Sequence, residues 1–200
     1  MPRVLLTAFE PYGEYDENAS WLTLVELTRN LPREPQVITR RYPVDFAVVQ
    51  ERLARDLADE YDFALHLGQA PGSSCVRLEA IGVNIGGPAE SPPEAYTPLT
   101  EEGPVAYRSS LPLAEWSARI TAAGIPAQVS YHAGTYPCNA TLYWTHHLAA
   151  RGGLRTRAAF IHLPLDTSQV ARTRRPAASL PASLSAQAVH LMLEAIAELA

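Results

Sequence analysis

Residues 130–145 read SYHAGTYPCNATLYWT, and this stretch carries a change from strand to helix. The apolar run just before it, residues 127–131, predicts a strand. Pro137 suits the first turn of a helix, where its missing N–H group costs nothing. Beyond it, side chains recur at helical spacing at Leu142, Tyr143 and His146. The stretch therefore predicts a strand–turn–helix unit with Cys138 at its tip.

At that position Cys138 would lie beside the unpaired N–H groups and the positive end of the helix. Such an environment favours the thiolate, which is the nucleophilic form of cysteine. The alternative is that Cys138 packs as a small hydrophobic residue, as most free cysteines do. Gly134, Pro137 and the strand-to-helix break favour the reactive thiol. A nucleophilic cysteine also needs a base, which the rest of the chain must supply.

The composition is that of one globular domain spanning residues 1–200, because 47% of the residues are hydrophobic and only 18% are charged. A net charge of −5 argues against a nucleic-acid or anionic-membrane partner, and the basic run 172–175 is interpreted as a solvated turn. With two cysteines, Cys75 and Cys138, and no apolar signal segment, we expect no disulfide framework and a cytoplasmic location. No apolar stretch approaches the ~20 residues that span a membrane.

Apolar runs that alternate with helical periodicity predict right-handed crossovers and a parallel-rich sheet. The predicted strands are residues 3–7, 36–42, 62–68, 127–131 and 158–164. The predicted helices are one that begins near Asn18 or Ser20, residues 44–61, residues 113–123, the helix after Cys138, and residues 185–199. In the first loop, Phe9, Tyr12 and Tyr15 either pack under the following helix or line a ligand pocket.

Two further residues are candidates for chemistry. Glu79 lies in the run 75–84 among apolar neighbours, so it is either at an exposed strand edge or buried with a partner. His162 lies at the end of a predicted strand, where side chains converge above a sheet. The other histidines lack the spacing of zinc ligands, so no metal site is expected.

Taken together, these segments resemble the pyroglutamyl peptidase I (pyrrolidone-carboxylate peptidase) family of cysteine peptidases. The most specific ones are AGTYPCN at 133–139 and FIHLP at 160–164. The others are residues 6–13 with Asn18, 66–70, 79–84, and 102–107 followed by Leu111-Pro112. Their order over nearly the whole chain makes the resemblance strong.

The resemblance implies an α/β fold, a single-domain α/β/α sandwich with a twisted, mixed, mostly parallel sheet. It implies that one catalytic domain, residues 1–200, removes N-terminal pyroglutamate (5-oxoproline) from peptides through a thioester. Cys138 would be the nucleophile, His162 its general base and Glu79 the group that orients the imidazole. It further implies that no cofactor or metal is required, and that the chain self-associates as a homodimer or homotetramer.

The family resemblance also implies a pocket for a neutral, flat lactam ring. Its aromatic and apolar lining would be Phe9, Tyr12, Tyr136 and Pro137. A backbone group near Gln69 would bind the lactam, and Asn18 would support the first loop. The chain departs from the family where Ser73, Ala80 and Ala89 occupy positions that usually carry arginine.

Two other hypotheses remain open from the sequence. The chain could be a non-catalytic binder of pyroglutamyl or other cyclic-amide ligands that kept the site and lost turnover, as the missing arginines suggest. It could also be a nucleoside phosphorylase-like enzyme of similar sheet topology. The absence of a glycine-rich phosphate loop and of paired arginines near strand ends weakens that second alternative.

Overall fold

A six-stranded sheet forms the centre of the protein in a computed structural model that describes residues 1–88, 91–173 and 175–199. Ala89, one of the departures noted above, and Arg174, part of the basic run, lie outside the described residues. The strand order is β2-β1-β3-β8-β4-β7. The strands are β1 (Arg3–Phe9), β2 (Gln36–Tyr42), β3 (Phe63–Gln69), β4 (Val76–Glu79), β5 (Ile81–Val83), β6 (Ala106–Arg108), β7 (Ala127–Ser130) and β8 (Arg157–Leu163).

Most neighbouring strands are parallel, as the crossover pattern predicts. β1 pairs with β2 and β3, β3 with β8, and β4 with β7, all in parallel. The exception is β4 against β8, which is antiparallel. The mixed, mostly parallel sheet is therefore confirmed.

Alternating side chains of the central strands enter two separate cores. On β1, Leu6 belongs to one hydrophobic cluster and Leu5 to the other; on β8, Ile161 and Phe160 are divided in the same way. Helices α1, α3 and α6 cover the first cluster, and α2 and α4 cover the second. This is the predicted α/β/α sandwich. The helices are α1 (Ala19–Thr28), α2 (Phe46–Leu57), α3 (Leu113–Ala122), α4 (Pro137–Gly152), α5 (Thr167–Thr173) and α6 (Ala182–Glu198).

One apolar run is divided in the structure, and one local prediction is wrong. The run 75–84 is split at Ala80 into β4 and β5, because β5 leaves the main sheet and pairs with β6. The basic run begins inside helix α5 and not in a turn. Asp166 caps this helix by accepting a hydrogen bond from the Ser168 N–H at 2.8 Å, and the Gln169 side chain accepts one from the Asp166 N–H at 2.8 Å.

A fully buried histidine ties the sheet to the helix that carries Cys138. His66 lies between the hydroxyls of Thr7, 2.8 Å from Nδ1, and Thr145, 2.9 Å from Nε2. Thr145 donates its own hydrogen to the carbonyl of Thr141 at 2.7 Å. His66 must therefore donate from Nε2 and accept from Thr7 at Nδ1, which fixes one neutral tautomer.

Burial lowers the pKa of His66 from 6.5 to about 3, and that of His146 to about 4. Between those values and 6.5 the unfolded chain binds protons that the folded chain excludes. The free energy of unfolding should therefore fall as pH falls, by about 1.4 kcal/mol per pH unit for each histidine. Urea unfolding between pH 7 and pH 5 measures this loss, and we expect about 2 kcal/mol from His66 alone.

The matched variants are His66→Gln, which removes the buried titrating group, and His190→Gln at a partly exposed position of α6. His66→Gln should be less stable at pH 7 but lose less stability on acidification. His190→Gln should retain the pH dependence of the unsubstituted protein. An undiminished slope in His66→Gln would contradict the assignment to His66.

Candidate active site

Cys138 is the second residue of α4, directly after Pro137 begins the helix. Tyr136 precedes them in an extended conformation, with φ −95° and ψ −179°. On its other side the thiol lies against Gly68 of β3. A Cβ atom at Gly68 would stand 3.2 Å from Cys138 Sγ and 2.6 Å from the Phe160 ring, so this close approach requires glycine.

Glu79 and His162 meet on neighbouring strands. His162 Nδ1 lies 2.8 Å from Glu79 Oε1 across the β4–β8 pair. Glu79 is fully buried and His162 is 7% exposed. The carboxylate thus engages Nδ1, which leaves Nε2 as the ring nitrogen for a second partner. Of the two possibilities for Glu79, the structure shows burial with a partner.

The sheet brings the His162 imidazole next to the position against which the Cys138 thiol packs. Gly68, against which Sγ lies, is the register partner of His162 in the β3–β8 pair. Within the described residues no hydrogen bond joins Sγ to the His162 ring. Hydrogen bonds between a nucleophile and its base are often long in the absence of substrate and shorten when substrate binds.

The electrostatics around Cys138 oppose ionisation of the thiol. Burial, and then the negative charge of Glu79, raise the pKa of Cys138 to about 12, and the backbone N–H only partly counteracts them. These effects oppose the preference for thiolate that the helix N-terminus is expected to give. The thiol therefore needs a nearby base to lose its proton at neutral pH.

The aromatic residues proposed for the pocket separate into two groups. Tyr12 and Tyr136 are partly exposed, with ring centroids 6.3 Å apart. Burial, and then the charge of a nearby Cys138 thiolate, raise the pKa of Tyr12 to about 12. Phe9 is only 2% exposed and packs on Phe160 at 6.1 Å, and Pro137 is also buried.

Asn18 and Gln69 hold the first loop and the start of α1. Asn18 caps the helix by accepting from the Ser20 N–H at 3.0 Å, and donates to the Glu10 carbonyl at 3.0 Å. The Gln69 carbonyl oxygen accepts from the Ala19 N–H at 2.8 Å. The Gln69 amide nitrogen has no hydrogen-bond partner among the described residues.

Gln169 is a member of this network that sequence reasoning missed. Its amide nitrogen donates to Gln69 Oε1 at 2.8 Å and to the Glu17 carbonyl at 2.9 Å. It thereby joins the end of β3, the first loop and the start of α5. The sequence signal was the capping pattern Asp-Thr-Ser-Gln at 166–169, which marks a helix start whose glutamine side chain bonds back to the N–H of the first residue.

The sequence predictions also concern metal ligands, disulfides and membrane-spanning helices. Among the described residues, no cluster of three or more His, Cys, Asp or Glu side chains is arranged to hold a metal ion. Cys75 and Cys138 are both free thiols. In the same part of the chain, every helix is too short or too polar to cross a membrane.

An α/β/α sandwich with a free thiol at a helix start, near a buried carboxylate–imidazole pair, is typical of an enzyme with a cysteine-based site. A sequence profile described as "Pyroglutamyl peptidase" matches residues 2–199. Pyrrolidone-carboxylate peptidase of Clavibacter michiganensis is 36% identical over 88% of this chain and 84% of that protein. The Thermococcus onnurineus protein of the same name is 35% identical over 94% of this chain and 96% of its own length.

Solved structures agree with these sequence matches. The crystal structure of pyrrolidone carboxyl peptidase from Fervidobacterium islandicum superposes with a TM-score of 0.91 at 31% identity, covering 99% of both chains. A mutant pyrrolidone carboxyl peptidase from Pyrococcus furiosus gives a TM-score of 0.90 at 30% identity, covering 99% of this chain and all of the other. The chain therefore belongs to the pyroglutamyl peptidase family and is a hydrolase, which decides against the nucleoside phosphorylase-like alternative.

Proposed function

We propose that this protein removes N-terminal pyroglutamate from peptides through a thioester, with Cys138, His162 and Glu79 as its catalytic groups. The observation that carries this proposal is the buried 2.8 Å contact between Glu79 and His162. The Cys138 thiol lies against Gly68, the register partner of His162. A buried carboxylate that holds one imidazole nitrogen fixes the tautomer whose other nitrogen can accept a proton.

The proposed reaction begins with transfer of the Cys138 proton to His162. This transfer is necessary because the raised pKa of the thiol leaves little thiolate at neutral pH. Sulfur then attacks the carbonyl carbon that joins pyroglutamate to the next residue. Backbone N–H groups at the start of α4 stabilise the oxyanion, and the imidazolium protonates the leaving amine. Water, deprotonated by His162, cleaves the thioester and regenerates the thiol.

The substrate pocket in this proposal selects a neutral lactam ring. Tyr12 and Tyr136 are partly exposed with their ring centroids 6.3 Å apart, and Tyr136 lies two residues before Cys138. Phe9 and Pro137 are buried, and in this proposal the backbone of Gln69 binds the lactam. A charged N-terminal amine would lose its hydration in such a site without gaining a counter-ion. The pocket therefore favours pyroglutamate over an N-terminal residue with a free amine.

Hydrolysis of a fluorogenic pyroglutamyl amide under reducing conditions tests this proposal. The matched substrate is the corresponding prolyl amide, which has the same ring size but carries a charged amine. We expect kcat/KM to favour the pyroglutamyl amide by at least about a hundredfold, since a site built for one polar pattern strongly rejects another. Equal turnover of both would contradict the lactam pocket, and tight binding without turnover would indicate the non-catalytic binder.

We further propose, from the family resemblance, that residues 1–200 act as one catalytic domain in the cytoplasm and self-associate as a homodimer or homotetramer. The two free thiols support a reducing compartment. Light scattering at micromolar concentration measures the association directly. A mass equal to one chain would contradict it.

A further inference from the structure

A cation lies against the carboxylate that orients His162. Arg77 Nη2 is 3.2 Å from Glu79 Oε1, the same oxygen that contacts His162 Nδ1. Arg77 and Glu79 are two residues apart on β4, so both side chains project from the same face of the strand. The guanidinium side chain is 31% exposed, whereas Glu79 is fully buried. Ala80, which follows Glu79, occupies a position where the family usually carries arginine, so no cation is supplied from that position.

Arg77 is held in place by β7 and the segment that leads to Cys138. Its Nη2 donates to the carbonyl of His132 at 3.1 Å and to the hydroxyl of Ser130 at 3.3 Å. Its contact with Glu79 is an ion pair at 3.2 Å in addition to those hydrogen bonds. The effect of Arg77 on Glu79 therefore comes mainly from its charge, which a lysine would also supply.

The site needs such a charge because Glu79 is buried and only one of its two carboxylate oxygens, Oε1, has partners. Its second oxygen, Oε2, has no hydrogen-bond partner among the described residues. An uncompensated buried carboxylate would hold a proton on the neighbouring imidazole, and a protonated ring cannot act as a base. The same carboxylate also raises the pKa of the Cys138 thiol.

We propose that Arg77 is a positioning residue of this site, whose guanidinium offsets the charge of Glu79 and so leaves His162 free to accept the Cys138 proton at neutral pH. This inference rests on the proposed roles of Cys138, His162 and Glu79. Among the described residues, the charged and titratable groups around the site are Cys138 from α4, Tyr136 just before it, His162 from β8, Tyr12 from the first loop, and Arg77 with Glu79 from β4.

The test compares the pH dependence of pyroglutamyl amide hydrolysis and of Cys138 alkylation in the variants Arg77→Met and Arg77→Lys. In Arg77→Met, the acid limb of kcat/KM for the pyroglutamyl amide should move up by about one pH unit. Activity at pH 6 should fall about tenfold, and raising the pH should recover most of it. Alkylation of Cys138 by iodoacetamide, resolved from Cys75 by peptide mass spectrometry, should shift in the same direction. Arg77→Lys should restore both profiles, because it keeps the charge.

Arg40→Met is the matched control. Arg40 lies on β2, at the opposite edge of the sheet. Its side chain is 38% exposed, and its Nε lies 3.3 Å from the buried carboxylate of Asp56. This variant should lose stability without moving either profile. A uniform loss at every pH in Arg77→Met, or a lysine variant as impaired as the methionine one, would overturn the inference.

The alkylation profile separates failure of this inference from failure of the proposed function. It reports on the charge near Cys138 whether or not the pyroglutamyl amide is a substrate. An unchanged alkylation profile in Arg77→Met would reject the role of Arg77 even if the amide is hydrolysed. A shifted profile with no hydrolysis by the unsubstituted protein would support the role of Arg77 and reject the proposed substrate.

Discussion

Replacing Cys138 with alanine is expected to reduce hydrolysis of a pyroglutamyl amide by at least about ten thousandfold. The reason is that no thioester can form without Sγ, so only the residual stabilisation by the pocket and backbone N–H groups remains. The fold should survive, because the Cys138 side chain is small and lies at the helix start beside Gly68. The measurement is steady-state hydrolysis under reducing conditions, with circular dichroism to verify folding.

Cys75→Ala is the matched control, because it removes the other free thiol of the chain. Cys75 lies just before β4, where its carbonyl accepts a hydrogen bond from Ser73, and its thiol has no place in the proposed reaction. This variant should keep activity within about twofold of the unsubstituted protein. If Cys138→Ala retained substantial activity, or if Cys75→Ala lost it, the assignment of the nucleophile would be wrong.

Most of the longer strands and helices could be predicted because each obeys a local rule, whereas the short elements β6 and α5 were not predicted. β1 and β8 alternate their side chains between two cores, and α4 begins where Pro137 and the preceding turn indicate a start. Tertiary pairing decided what the local pattern could not. The run 75–84 alternates only over its first residues, and it divides at Ala80 because β5 pairs with β6 outside the main sheet.

The candidate site shows the same limit. Cys138 and His162 stand at element ends and could be found from the sequence, whereas the charge balance around them depends on distances between strands. The alternation of the run places Arg77 and Glu79 on one face, but only the pairing of β4 with β8 brings His162 to the same Glu79 oxygen. The raised pKa of the Cys138 thiol likewise follows from burial and from Glu79, which lies 59 positions earlier in the chain.

Replacing Glu79 with glutamine is expected to lower kcat about a thousandfold while the protein stays folded. Glutamine keeps the size of the side chain but removes the charge that stabilises the His162 imidazolium in the reaction. The same change should lower the pKa of the Cys138 thiol, since the Glu79 charge raises it. Turnover and thiol ionisation should therefore change in opposite directions, which steady-state kinetics and iodoacetamide alkylation above pH 8 measure together.

Asp56→Asn provides the control for this divergence. Asp56 is a buried carboxylate that, like Glu79, faces an arginine, and it accepts a hydrogen bond from the Tyr42 hydroxyl at 2.8 Å. Its loss should reduce stability and leave kcat and the alkylation profile nearly unchanged, because it does not adjoin the thiol. If Glu79→Gln instead slowed alkylation and turnover alike, the damage would lie in the packing around Cys138. In that case the carboxylate would be structural, and the proposed triad would reduce to Cys138 and His162.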